Sequence, residues 1–109
     1  MFDNSHKRYN LRSFKECLKI LKKKLPPAYP VTIKYVDIGD FGVAELKKKR
    51  FILYINPMQC EDLAIETLLH EWAHLISWAV GNNWYKWGEY HGPEWGIAFS
   101  RIYQVLYEK

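Results

Sequence analysis

The residues best suited to chemistry lie in the run HEWAH at positions 70–74. Residues four apart on a helix share one face, so His70 and His74 can bind one zinc ion, about 2.0–2.1 Å from each ring nitrogen. Glu71 lies one step round the helix, where it reaches a water molecule on that ion and can accept its proton. The spacing therefore predicts two zinc ligands and a general base for the hydrolysis of peptide bonds.

A third zinc ligand must come from outside this helix, because catalytic zinc takes three protein ligands and leaves one position for water. The candidates are His91, Glu89 and Glu94. We select His91, since zinc prefers nitrogen and His91 directly precedes a helix start at Pro93. His6 is expected to play no part. The sequence thus predicts one zinc ion per chain, bound by His70, His74 and His91.

The two cysteines, Cys17 and Cys60, are far apart and form no CxxC pair. This spacing indicates neither a disulfide framework nor a cysteine zinc site, so both are expected to be free thiols.

The loop before His91 carries four aromatic residues: Trp84, Tyr85, Trp87 and Tyr90. Peptide hydrolysis needs a donor to the oxygen that becomes negative in the transition state, and such a donor is commonly worth about 3–4 kcal/mol. Tyr90 and Tyr85 are the candidate donors. The rings can instead pack on the core or stack on the bases of single-stranded nucleic acid, and packing is favoured.

The pattern of apolar residues predicts one helix, a small sheet and then two helices, which is an α+β fold. Short strands joined by turns pair most simply as hairpins, so we expect a three-stranded antiparallel sheet. The predicted segments are a helix over Leu11–Leu25, strands over Tyr29–Ile38, Val43–Leu46 and Phe51–Ile55, a central helix over Glu61–Val80 and a last helix from Pro93.

Length and composition are those of one folded domain. The 109 residues are too few for two domains, and a hydrophobic share of 49% can fill one core, so we expect a single domain over 1–109 with residues 1–9 flexible. Charged and polar residues interrupt every long apolar stretch, which excludes a membrane span. The N-terminal residues have no apolar stretch typical of a signal peptide, so a cytoplasmic location is expected.

Two clusters of basic residues account for much of the net charge of +4: Lys22–Lys24 and Lys47, Lys48, Lys49 and Arg50. Such runs favour a polyanion such as DNA, with the second cluster at the tip between two strands as the candidate contact. They are also typical of solvated helix ends and hairpin tips, so charge alone leaves both interpretations open.

The HExxH run, a loop and then His91-Gly92-Pro93-Glu94-Trp95 resemble the signature of the SprT-like metallopeptidases, which include the Spartan proteases acting on DNA–protein crosslinks. The resemblance implies a zincin-like minimal metallopeptidase domain, with zinc ligands at His70, His74 and His91 and the catalytic glutamate at Glu71. Two departures stand out: no cysteine-rich zinc ribbon and no partner-binding tail follow the last helix. DNA targeting of the Spartan kind therefore does not follow from the resemblance.

Two other functions are compatible with the same residues. One is a non-catalytic binding module in which the zinc ion only stabilises the fold. The other is a peptidase with a glutamate as third ligand, which resembles the repressor-cleaving peptidases of phage and mobile-element switches. The sequence predicts neither the substrate nor the oligomeric state.

Overall fold

The computed structural model describes Phe2, residues 12–78 and residues 93–107. These residues form three helices and three strands, which confirms the predicted α+β order. No described helix has the length and apolar character needed to cross a bilayer. The elements are α1 (Phe14–Lys24), β1 (Val31–Tyr35), β2 (Gly42–Leu46), β3 (Phe51–Ile55), α2 (Glu61–Ser77) and α3 (Pro93–Tyr107).

Helix α1 begins three residues later than the apolar pattern predicts, because Ser13 caps it. The hydroxyl of Ser13 accepts a hydrogen bond from the main-chain N–H of Glu16 at 3.1 Å, and the Glu16 carboxylate accepts one from the Ser13 N–H at 3.3 Å. This capping box satisfies main-chain donors that have no partner inside the helix. Leu25 ends the helix ahead of Pro26 and Pro27, which cannot continue it.

The sheet is mixed, so the prediction of a fully antiparallel sheet was wrong. Strands β2 and β3 do form an antiparallel hairpin, but β1 lies on the other side of β3 and runs parallel to it, with Val31 opposite Phe51. The strand order is β1-β3-β2. The physical reason is burial: four of the five residues of β3 are buried, and a strand this apolar is stabilised in the centre of a sheet rather than at its edge.

The connection between β1 and β2 must therefore cross the end of β3. It does so over residues 36–41, held by hydrogen bonds from the Val36 N–H to the Ile55 carbonyl (3.1 Å) and from the Asn56 N–H to the Phe41 carbonyl (2.9 Å). This crossing brings Asp40 and Phe41 to the start of β2, beside helix α2.

The core lies between the sheet and α2, with α1 and α3 packed on the other sides of α2. Trp72 is the largest fully buried side chain, and its indole N–H donates to the Leu25 carbonyl at 2.9 Å. The Glu61 carboxylate accepts a hydrogen bond from the Phe14 N–H at 2.9 Å, which ties the start of α2 to the start of α1. These contacts fix α2 against the two ends of α1.

Candidate metal centre

Helix α2 presents His70 and His74 one turn apart on the same face. Their ring centroids are 5.1 Å apart, and the ring planes are inclined by 66°. The His74 residue is 4% exposed, whereas the His70 side chain keeps 41% of its surface accessible. The pair is therefore anchored in the protein on one side and open on the other, as a metal site that must receive a substrate requires.

Glu71 is buried, at 8% exposure, and borders the same opening. Its Oε2 atom lies 4.0 Å from Nε2 of His70, and no other described residue forms an ion pair or hydrogen bond with its carboxylate. Burial, and after it the negative charge of Asp40, raises the pKa of the Glu71 carboxyl to about 8. A buried carboxylate next to two histidines is typical of a catalytic group rather than of a surface charge.

Trp95, in the first turns of α3, packs against both imidazoles. Its ring centroid lies 5.1 Å from that of His70 and 5.8 Å from that of His74. Its indole N–H donates to the main-chain carbonyl of His70 at 3.2 Å. The sequence identifies Trp95 as the aromatic residue of the motif and as part of the apolar face of the last helix, but it carries no local signal that α3 packs on this turn of α2.

A cleft of about 370 Å³ opens beside Glu71, between the start of β2 and the exposed face of α2. Gly42 allows this close approach: a Cβ atom there would lie 2.5 Å from Cγ2 of Thr67 and 2.9 Å from the Tyr54 carbonyl oxygen. The lining residues are Asp40, Phe41, Gly42, Leu63, Glu66, Thr67, His70 and Glu71. The cleft leads a ligand from the surface to the carboxylate of Glu71.

The other predicted residues divide into two groups. His91, Glu89, Tyr85 and Tyr90 lie outside the described residues. Glu94 is described, but it is exposed and lines a different cavity, together with Ile76 and Arg101.

The cysteines are free, as predicted, and neither lines the cleft. Cys17 is buried, with Tyr107 as hydrogen-bond partner, and desolvation raises the pKa of its thiol, so this cysteine is held in its neutral form. Cys60 is the N-cap residue of α2.

The described residues fit a metal ion in part. Two imidazoles on one helical face are the pair of nitrogen donors that zinc takes from such a helix. Within residues 12–78 and 93–107, no third histidine, cysteine or carboxylate joins them in a group that could complete the site. His91, the predicted third ligand, lies outside those ranges.

The Lys47 to Arg50 tip is a tight two-residue turn joining β2 and β3. Lys47 and Arg50 exchange main-chain hydrogen bonds of 2.8 and 3.1 Å. Lys48 and Lys49 have φ angles of 50° and 61°, the left-handed conformation that this turn demands and that Asn-Gly adopts most easily. All four side chains are exposed, and none lines the cleft.

One of three comparisons with known proteins supports the family resemblance that the motif indicates. Neither the curated proteins nor the solved structures gave a match. The SprT-like family matches residues 6–108, a range that includes the HExxH helix, the segment with His91 and the whole of α3. The chain therefore belongs to the SprT-like family.

Proposed function

We propose that this protein is a zinc-dependent metallopeptidase with a zincin-like catalytic domain. The observation that carries the proposal is the arrangement on α2, where two imidazoles one turn apart stand beside a buried glutamate that opens into a cleft. His70 and His74 would hold the ion through their ring nitrogens, and His91 would supply the third ligand. Membership of the SprT-like family supports the same assignment.

In this proposal the zinc ion, when bound, acidifies a water molecule and polarises the scissile carbonyl group. Glu71 accepts the proton of the attacking water and returns it to the departing amine. Its burial and its position next to His70 leave the carboxylate facing the cleft rather than bulk solvent. Tyr90 or Tyr85 would donate a hydrogen bond to the developing negative oxygen.

Proteins are the proposed substrates, among them proteins held on DNA. The hairpin tip supports the proposal of substrates held on DNA. Lys48 and Lys49 are two cationic residues at left-handed positions where Asn-Gly would be less strained. Strand β2 joins this tip to the start of the cleft, so a phosphate backbone at the tip would hold a protein near the site. Lys47 and Arg50 would contribute to the same contact.

A peptidase with Glu94 as third ligand is the weaker alternative, since Glu94 lines a separate cavity from which both histidines are absent. Zinc content separates the alternatives. We expect one zinc ion per chain in the wild type, loss of the metal in His91→Ala, and full retention in Glu94→Ala and Glu94→Gln.

Cleavage of an unfolded protein tests the proposed activity. The wild type should degrade it, a chelator should stop the reaction, and added zinc should restore it. A zinc-loaded wild type that cleaves no unfolded protein, with or without single-stranded DNA, would instead support the non-catalytic binding module.

A further inference from the structure

The walls of the cleft beside Glu71 combine exposed apolar surface with negative charge. Phe41 and Leu63 are large apolar residues that remain 58% and 47% exposed, although side chains of this kind are usually buried. Asp40 and Glu66 line the same cleft. A cleft with one apolar and one acidic wall favours a ligand that has both an apolar part and a cationic part.

Both carboxylates are held in place by hydrogen bonds. The Phe41 N–H donates to Oδ1 of Asp40 at 2.8 Å, and the Tyr103 hydroxyl donates to Oε2 of Glu66 at 3.1 Å. A carboxylate accepts several hydrogen bonds, so each keeps acceptor capacity for a ligand. These hydrogen bonds restrain both carboxylates, which remain exposed at the wall of the cleft.

The charge of the cleft is opposite to that of the whole chain. The chain carries a formal charge of +4, with lysines concentrated on α1 and at the hairpin tip. No lysine or arginine occurs among the described residues that line the cleft. At Asp40 and Glu66 the cleft therefore favours a cationic group over an acidic one.

We propose that the cleft is a specificity pocket for a lysine or arginine side chain of the protein substrate. The long apolar stem of such a side chain lies against Phe41 and Leu63, and its cationic end reaches the carboxylates of Asp40 and Glu66. The Phe41 ring adds an attraction for the cation. The pocket borders Glu71, so the selected residue lies next to the bond that is cut. This inference rests on the proposed peptidase function and adds its substrate preference.

Matched fluorogenic peptides test the preference. We expect a peptide with lysine or arginine beside the scissile bond to be cleaved with a kcat/KM about tenfold above that of its norleucine counterpart, and a glutamate peptide to be cleaved least. Mass spectrometry of the products identifies the bond. Equal cleavage of the lysine, norleucine and glutamate peptides would overturn the proposal while leaving the peptidase function intact.

Two variants locate the preference in this cleft. Asp40→Asn and Glu66→Gln should each lower the ratio of kcat/KM for the lysine peptide to kcat/KM for the norleucine peptide roughly three- to fivefold, a ratio in which any effect on Glu71 cancels. Glu45→Gln is the matched control, because Glu45 lies on β2 but outside the cleft, where its carboxylate accepts a hydrogen bond from Tyr54. An equal loss in Glu45→Gln would assign the effect to overall charge.

Binding provides a measurement that does not depend on catalysis. A labelled, uncleavable lysine peptide should bind the wild type more tightly than its glutamate analogue, and Asp40→Asn combined with Glu66→Gln should remove that difference. Preferential binding without any cleavage would retain the pocket and reject the peptidase function. Equal binding of both peptides would reject the pocket.

Discussion

Helix α2 carries two glutamates, Glu61 and Glu71, whose environments are opposite. At the N-terminal end, Glu61 accepts a hydrogen bond from the Phe14 N–H and joins two helix starts. Towards the other end, Glu71 is buried beside His70 without a hydrogen bond from any described residue. Burial of this carboxyl disfavours its charged form and raises its pKa. The difference supports a structural role for Glu61 and agrees with the proposed role of Glu71 as general base.

Replacing Glu71 should give the largest effect. We expect Glu71→Gln to lower kcat about 10²–10⁴-fold, because an amide cannot accept the proton of water. Zinc content and thermal stability should stay close to those of the wild type, since the substitution keeps the size of the side chain. Loss of zinc from this variant would show that Glu71 is a metal ligand and would contradict its assignment as a base.

Replacing Trp95 should give the next largest effect, on metal affinity. Trp95→Leu removes the ring packed on His70 and His74 as well as the N–H donor, so we expect zinc affinity to fall about 10–100-fold, as when groups that orient metal ligands are lost. Trp95→Phe keeps a ring and should recover most of the affinity. Competition with a chromophoric chelator measures both.

A Tyr103→Phe variant serves as the control for this prediction, because Tyr103 lies two turns further along α3 and does not contact the histidines. If zinc affinity is unchanged in Trp95→Leu while the apo protein remains folded, Trp95 only fills space. The absorption spectrum of the cobalt-substituted protein separates the two roles, because it responds to the orientation of the imidazoles.

Replacing Glu61 should lower stability and leave activity unchanged, which is the opposite of the effect expected at Glu71. Glu61→Gln removes a negative charge near the N-terminus of α1, where an anion contributes about 0.3–1 kcal/mol. We therefore expect the free energy of unfolding in urea to fall by about 1 kcal/mol, while kcat per folded molecule stays unchanged. A loss of kcat without a loss of stability would break the comparison between the two glutamates.

The smallest effect is expected at the hairpin tip. Lys48→Asn combined with Lys49→Gly fits the left-handed turn and should raise the free energy of unfolding by about 1 kcal/mol. If the tip binds single-stranded DNA, the same variant should reduce the salt dependence of binding by about 1.4 units of slope, at roughly 0.7 per contact. Unchanged DNA affinity would leave the lysines as a solvated tip.

Local sequence patterns predicted the elements and the helical half of the site. The order of helices and strands, the β2–β3 hairpin and the positions of His70, Glu71 and His74 on one helix follow from spacing, because a side chain's neighbours three and four residues away are determined by the helix itself. The bounds of β3 agree with the prediction, and those of β2 differ by one residue. The apolar pattern alone places the start of α1 too early, whereas the Ser13–Glu16 capping box, which can be read from the sequence beside the alternative cap Asn10, gives the observed start.

Long-range packing determined the strand order, the contact of Trp95 with the histidines and the shape of the cleft. β1 pairs with β3 in parallel because the most apolar strand is buried in the centre of the sheet, a choice that depends on all three strands together. Trp95 reaches His70 across 25 sequence positions, and the cleft joins Asp40 to Glu66 through a crossing loop and a glycine that permits close approach. Such contacts depend on how whole elements pack, and residue spacing along the chain carries no signal of them.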